Sequence, residues 1–345
     1  MTRPMKVVHL VDDTTAGGIT RVVDFILSGN GRQTEIQHER QVASRGKLNA
    51  TRYEADVIVS HLTFSWRNLP ALILLRASNA GKPMIHVEHS YTEGFVAHNV
   101  THQRRFLTLL RTGFSLFDQI VSVSYAQADW FSAKNLCARS KVSTIQSCVD
   151  LAPFRSIPAT DGPVRIFGAI GRLDRQKGFD ALIAAFKTCE ARDIELHIFG
   201  EGEEEENLRQ LAAGDQRIVF KGFAASPTEA FANIDAVVMP SRWEAYGLVA
   251  IEAISAGKLL ICSNVDGLQD HEPLGAEFLE QYSKNCIACK ILQVRSRAGS
   301  PLNELNAKSI ILEETFFLKW RQLLCANSHF WTSESGDKGL MAGRT

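Results

Sequence analysis

Two glutamates, Glu244 and Glu252, stand in the run PSRWEAYGLVAIEA from Pro240 to Ala253. On one unbroken helix this spacing would turn the second carboxylate about 80° away from the first, so the two would not share a face. Gly247 interrupts the run. That places Glu244 on a loop and Glu252 within a short helix ending at Gly257. The start of this helix, near Gly247 and Leu248, offers free backbone N–H groups to an anion. A loop carboxylate, a helix carboxylate and an N–H nest suit a polyhydroxylated ligand that carries phosphate. Carboxylates accept sugar hydroxyls and N–H groups hold phosphate. A plainer reading leaves both glutamates solvated, and spacing alone does not choose between the two.

The elements that must position these residues read as strand then helix, repeated. Short apolar runs at Lys6–Val11, Asp56–Ser60, Pro83–Val87 and Gln119–Val123 have the character of buried parallel strands. A loop containing Gly17 and Gly18 follows the first. A Pro- and Gly-containing linker spans Pro153 to Pro163. The pattern then restarts with strands expected at Arg165–Ile170, Glu195–Phe199, Arg217–Lys221, Ala236–Met239 and Leu259–Cys262. Phe179, Leu182, Ile183 and Phe186 recur at helical spacing. Alternating strands and helices imply an α/β class with parallel sheets. The expected division is residues 1–155, residues 163–308, an amphipathic helix within 309–330, and a mobile tail over 333–345.

Lys+Arg and Asp+Glu both number 38 in the 345 residues. This balance gives no global attraction to nucleic acid. The seven cysteines are scattered and odd in number, which is not a disulfide framework and fits a reducing, cytoplasmic compartment. No apolar stretch approaches the ~18 residues of a transmembrane helix. His86-Val-Glu-His89 is not the H-E-x-x-H zinc pattern, and Cys286-x-x-Cys289 has no second pair, so no metal site is expected. Glu203–Glu206 reads as the solvated, acidic first turn of a helix. His102–Phe117 combines Arg104, Arg105 and Arg111 with Phe106, Leu107, Leu109, Leu110 and Phe114. It could lie on an anionic membrane surface, or pack on the first sheet with its arginines outward.

PSRWEAYGLVAIEAISAG resembles the E-x7-E signature of family 4 glycosyltransferases, and its surroundings match in order. Gly171-Arg172-Leu173 with Lys177-Gly178 is similar to the family's G-R-L…K-G loop. Phe199-Gly200-Glu201-Gly202 resembles its F-G-x-G turn, and Phe220-Lys221-Gly222-Phe223 its strand-G-F segment. Gly17-Gly18 follows the first strand, His89 follows the PMIHVEH strand, and Val121–Ser124 resembles the family's V-x-V-S. The likeness covers roughly residues 5–270. Departures are Gln146-Ser147-Cys148 in place of a P-N-G turn, Lys258 in place of proline, and Asp266-Gly267 in place of a glycine pair. Residues 275–305 lack the G-L-L-V-P-P-G-D segment.

The resemblance implies the GT-B fold: two Rossmann-like domains with parallel sheets facing across a cleft, the first binding acceptor and the second donor, with the helix within 309–330 returning to brace the first domain. It implies a retaining transfer of sugar from a nucleotide diphosphate sugar to a hydroxyl acceptor, lipid-linked or an oligosaccharide, in exopolysaccharide or lipopolysaccharide synthesis at the inner face of the membrane. By the same resemblance, Arg172 and Lys177 hold the diphosphate, where cations stabilise the departing nucleotide without a metal or other cofactor. Glu252 accepts ribose hydroxyls, Glu244 meets the donor sugar near its anomeric carbon, and His89 contacts that sugar. A satisfied strand-end histidine is the plainer reading of His89. Gly17, Gly18, Gly171, Gly200, Gly202, Tyr246, Gly247 and Leu248 complete the expected binding set. A sugar-nucleotide 2-epimerase of the same fold and a non-catalytic sugar-nucleotide-binding subunit are the alternatives.

Overall fold

The computed structural model describes residues 3–15, 17–29, 35–44, 47, 48, 50–158, 162–224, 226–297 and 302–327. The expected tail at 333–345 lies outside them. The chain divides into two compact units. Unit 1 comprises residues 1–89, 100–147 and 314–345, and unit 2 residues 90–99 and 148–313.

Unit 1 is built on β1 (Met5–Val11), α1 (Gly18–Ser28), β2 (Ile36–Val42), β3 (Val57–Ser60), α2 (Leu69–Ser78) and β4 (Met84–Glu88). The chain then forms α3 (Glu93–Asn99), which belongs to unit 2. It returns to unit 1 for α4 (Gln103–Ser115), β5 (Gln119–Ser122), α5 (Tyr125–Ala133) and β6 (Val142–Thr144). The strands form one parallel sheet in the order β2-β1-β3-β4-β5-β6. The central strands β3 and β4 are fully buried, as sheets covered on both faces require, with Ser60, His86 and Glu88 as the polar residues in otherwise apolar runs. The edge strand β2, IQHERQV, alternates buried and exposed side chains. It lacks the apolar run that marks the others, and the same holds for the three-residue β6.

Unit 2 continues with α6 (Ala152–Arg155), which overlaps the start of the expected linker, then β7 (Ile166–Ile170), α7 (Phe179–Phe186), β8 (Glu195–Phe199), α8 (Glu205–Ala212) and β9 (Ile218–Gly222). It goes on through α9 (Pro227–Ala232), β10 (Ala236–Met239), α10 (Leu248–Ser255), β11 (Leu259–Ser263), β12 (Glu277–Leu279) and α11 (Lys284–Val294). Its parallel sheet runs β12-β11-β10-β7-β8-β9. Phe167, Leu182, Ile183, Phe186, Leu196, Ile198, Val238 and Ile261 fill its core together with Ile287 and Ile291 of α11. β10 and β11 are buried along their whole length.

Helix α12 (Leu302–Asn327) begins in unit 2 and ends in unit 1. In unit 2, Glu313 accepts from the Leu151 backbone N–H at 2.8 Å and from the Arg155 guanidinium at 2.9 Å. In unit 1, Phe316 and Phe317 pack on Phe25 at ring separations of 5.6 and 4.9 Å, and Trp320 meets His9 edge-on at 5.9 Å.

Sheet order decides where a site can form. In unit 2 the chain moves from β7 outward through β8 and β9, then crosses to the other side of β7 to add β10. Loops leaving adjacent strands in opposite directions open a crevice at their carboxyl ends. The crevice of unit 2 therefore lies after β7 and β10, and that of unit 1 after β1 and β3.

Candidate active site

The loop after β7 carries Gly171, Arg172 and Lys177, and the loop after β10 carries Glu244, Tyr246 and Gly247. Lys177 Nζ donates to Glu244 Oε2 at 2.6 Å, with the side chains only 14% and 12% exposed. Asp174 positions this lysine, accepting from the Lys177 backbone N–H and closing a single 3-10 turn, Arg175–Lys177. Gly178 then adopts φ +66°, and a Cβ there would run into the Pro240 carbonyl oxygen, so only glycine fits this junction.

Further bonds hold the two loops together. Gln176 Nε2 donates to the Trp243 carbonyl at 3.0 Å, and the Arg242 backbone N–H donates to the Gln176 carbonyl at 2.8 Å. The Arg242 guanidinium makes a bidentate pair with Asp180 at 2.9 and 2.7 Å. Arg172 is placed differently. It is 77% exposed, with Asp174 at 3.5 Å as a loose partner. An exposed cation thus accompanies a shielded, paired cation on the same loop.

Gly247 caps α10 at φ +88°, so the chain turns sharply from Glu244 into the helix. Leu248 is the first helical residue, and Glu252 lies buried one turn further on, at 1% exposure. The expected pair of glutamates therefore divides into a half-buried loop carboxylate held by lysine and a carboxylate inside the helix packing. Buried His271 fixes the loop from beneath. Its Nε2–H donates to the Tyr246 carbonyl at 2.7 Å, its ring lies 4.6 Å from that of Tyr246, and burial pushes its pKa down. Gly200 and Gly202 lie on the neighbouring turn, where a Cβ at Gly200 would collide with the Gly171 carbonyl oxygen.

Asp266, visible in the sequence only as a departure from a glycine pair, organises the neighbourhood of Glu244. It takes φ +41°, a left-handed conformation costly for a non-glycine residue, at the position where the resembled family has glycine. Its carboxylate accepts from Thr92 Oγ1 at 2.7 Å, the Gly94 N–H at 3.0 Å and the Glu244 N–H at 3.3 Å. Asp266 therefore ties the segment around α3 to the Glu244 loop within unit 2. Burial outweighs these bonds and raises its pKa.

In unit 1, Gly17 is the extended, exposed N-cap of α1 and Gly18 its first residue. Asp13 Oδ1 accepts from the Thr15 N–H and hydroxyl at 2.9 and 2.7 Å, which shapes the loop before them. His89 follows β4, half-buried, with Nε2 2.8 Å from His61 Nδ1. Helix α4 buries Leu109, Leu110 and Phe114 and leaves Arg104 and Arg105 exposed, Arg105 lying over the Trp66 ring at 5.6 Å. Among the described residues no cluster of three or more His, Cys, Asp or Glu side chains is placed to hold a metal, and no helix is long and apolar enough to cross a membrane.

Comparison with known proteins bears on the family and the fold. Residues 11–153 match the model described as Glycosyltransferase Family 4, and residues 164–294 the model described as Glycosyl transferases group 1. An uncharacterized glycosyltransferase of Methanocaldococcus jannaschii is 36% identical over 122 residues, 34% of this chain and 31% of that protein. The phosphatidyl-myo-inositol mannosyltransferase of Mycolicibacterium smegmatis is 27% identical over 266 residues, 72% of this chain and 66% of that protein. The match covers less than two-thirds of either relative's own length. The crystal structure of Anabaena Alr3699/HepE in complex with UDP and glucose superimposes with a TM-score of 0.68 at 16% identity, over 92% of this chain and 99% of that one. That likeness establishes the fold, GT-B. Fold and family models lead to one conclusion: the chain belongs to the family 4, or group 1, glycosyltransferases.

Proposed function

We propose that this protein moves a sugar from a nucleoside diphosphate sugar to a hydroxyl acceptor with retention at the anomeric carbon. The observation that carries the reading is the Lys177–Glu244 pair at the topological switch point of a sheet in dinucleotide-fold order, beside the α10 N-terminus. Departure of a nucleoside diphosphate builds negative charge on its phosphates. Lys177 and Arg172 supply shielded and exposed positive charge there, and the α10 N–H groups add aligned donors, so no metal is required. Glu244 meets hydroxyls of the donor sugar near the anomeric carbon, and Glu252 takes the ribose. Gly200 and Gly202 let their turn pack directly against the backbone of Gly171 and Leu173, which holds the Arg172 loop in place.

The complex of the similarly folded HepE with UDP and glucose supports a nucleoside diphosphate donor. Unit 1 takes the acceptor, with Gly17 and Gly18 leaving the α1 N-terminus clear of side chains. The acceptor is a lipid-linked or oligosaccharide unit of a surface polysaccharide. Because the apolar face of α4 is packed inward, any membrane contact through 102–117 is electrostatic, carried by Arg104 and Arg105 with half-exposed Trp66 at the rim.

A thermal-shift screen against UDP, GDP and ADP and their sugars tests the donor class. Donor turnover lost in Glu244→Ala, with the fold intact, supports transfer. Scrambling at the sugar's second carbon without acceptor would favour epimerisation instead. No stabilisation by any nucleoside diphosphate would overturn the donor site.

A further inference from the structure

Four histidines of unit 1 form an unbroken hydrogen-bonded chain. His38 Nδ1 lies 2.9 Å from His9 Nε2, His9 Nδ1 lies 2.9 Å from His61 Nε2, and His61 Nδ1 lies 2.8 Å from His89 Nε2. Successive ring centroids are 5.1, 5.3 and 5.1 Å apart. His9, His38 and His61 are buried, and His89 keeps partial exposure at the carboxyl end of β4. Trp320 closes over His9.

The chemistry of this chain is restricted. A neutral imidazole carries one proton on one of two nitrogens, so it donates once and accepts once. Each of the three links needs one proton. If His38 donates from Nδ1, then His9 must donate from Nδ1, His61 likewise, and His89 receives at Nε2 and keeps its own proton on Nδ1. If His89 donates from Nε2, every proton sits on Nε2 back to His38. Only these two neutral arrangements fill all three links, and each fixes the tautomer of all four rings at once. Burial depresses the pKa of every member, to about 4 at His38 and about 3 at His89, so the uncharged forms prevail near neutrality.

We propose that His38, His9, His61 and His89 work as one proton relay whose open end, His89 Nδ1, takes the proton of a ligand hydroxyl bound at the carboxyl edge of the first sheet. Among the described residues no side chain or backbone group occupies His89 Nδ1. The step balances. Starting with all protons on Nε2, His89 Nδ1 accepts the hydroxyl proton and passes its Nε2 proton to His61 Nδ1. His61 passes its own to His9 and His9 to His38, which gives up the proton on Nε2 to solvent water at the sheet edge formed by β2, where His38 keeps 6% exposure. One proton enters, one leaves, and the chain finishes with all protons on Nδ1. His9, His38 and His61 are positioning residues in this scheme, since only His89 meets the ligand. The proposal rests on the reading of unit 1 as the acceptor side, because transfer to a hydroxyl releases one proton, and it gives His89 the acceptor hydroxyl in place of the donor-sugar contact that the family resemblance implies.

The test is long-range proton–nitrogen correlation spectroscopy on histidine-labelled full-length protein near neutral pH. The relay requires four neutral rings with the proton on the same nitrogen in each. Mixed tautomers, or an imidazolium among the four, would overturn it. His38→Phe keeps ring volume and removes both nitrogens. It should change the tautomer signals of His89, three hydrogen bonds away, and slow transfer several-fold without changing nucleotide affinity. His38→Gln, which still donates and accepts, should restore part of both. Unchanged His89 signals in His38→Phe would reduce the chain to packing. If that variant does not fold, the native spectrum and His38→Gln still decide. If the native protein transfers no sugar, the functional reading fails while the tautomer readout still judges the relay.

Discussion

Lys177 Nζ and Glu244 Oε2 are 2.6 Å apart, although they stand on loops leaving two neighbouring strands. A pair this shielded is costly to break from one side, because the survivor stays charged with little water to solvate it. Glu244→Ala should therefore destabilise the protein by about 3 kcal/mol, read as a lower urea midpoint. The double substitution Lys177→Ala with Glu244→Ala should cost less than the sum of the single ones. Strict additivity would show that the two charges do not interact in solution.

Arg172 supplies the opposite case. At 77% exposure with only a 3.5 Å partner, it contributes almost nothing to the folded state. Arg172→Ala should leave stability within about 0.5 kcal/mol yet weaken nucleoside diphosphate binding more than monophosphate binding. Isothermal titration with both ligands checks this, and equal losses would remove Arg172 from the diphosphate.

Much of the architecture was legible because central parallel strands announce themselves as apolar runs, KVVHLV and AVVM among them. The strands that escaped, β2, β6 and β12, are all sheet edges. β2 is half solvated and alternating, and the other two have only three residues each. The glycines and charges of the candidate site were readable from their order along the chain. Asp266 was not, because its importance lies in reaching Thr92 and Gly94, remote in sequence. Nor were His9, His38 and His61, which lie on or just after three different strands. The sheet puts β2 and β3 on either side of β1, with His38 opposite Val7, two residues from His9, and His61 one residue past the β1–β3 pairing.

The Asp266 carboxyl has its pKa raised in the folded protein, chiefly by burial. The native state thus holds its proton at pH values where the unfolded chain has released it, and stability must fall as pH rises from the ordinary aspartate range through the raised value. Asp266→Asn should flatten that part of the stability curve. It should also speed amide exchange in 90–99, since the Gly94 N–H loses a charged acceptor. An unaltered pH slope would mean that Asp266 ionises normally.

The four linked histidines act with the opposite sign. Their folded pKa values are depressed, so the unfolded chain binds more protons as pH drops below about 6.5, the ordinary histidine value. Each contributes about 1.4 kcal/mol of lost stability per pH unit until its folded value is reached. Urea midpoints measured from neutral to mildly acidic pH should fall steeply, with several protons taken up on unfolding. A flat profile would show that the rings are charged, or solvated, in the native protein.

Neither compact unit is a continuous stretch of chain, and this has a consequence for biosynthesis. All six strands of the first sheet leave the ribosome by Thr144, yet Phe316 and Trp320, which cover Phe25 and His9, follow only after the entire second sheet. The nascent first sheet must therefore wait with one greasy flank uncovered. A polypeptide stopped before Glu314 should be prone to aggregation and chaperone capture, even with every strand of both sheets already made.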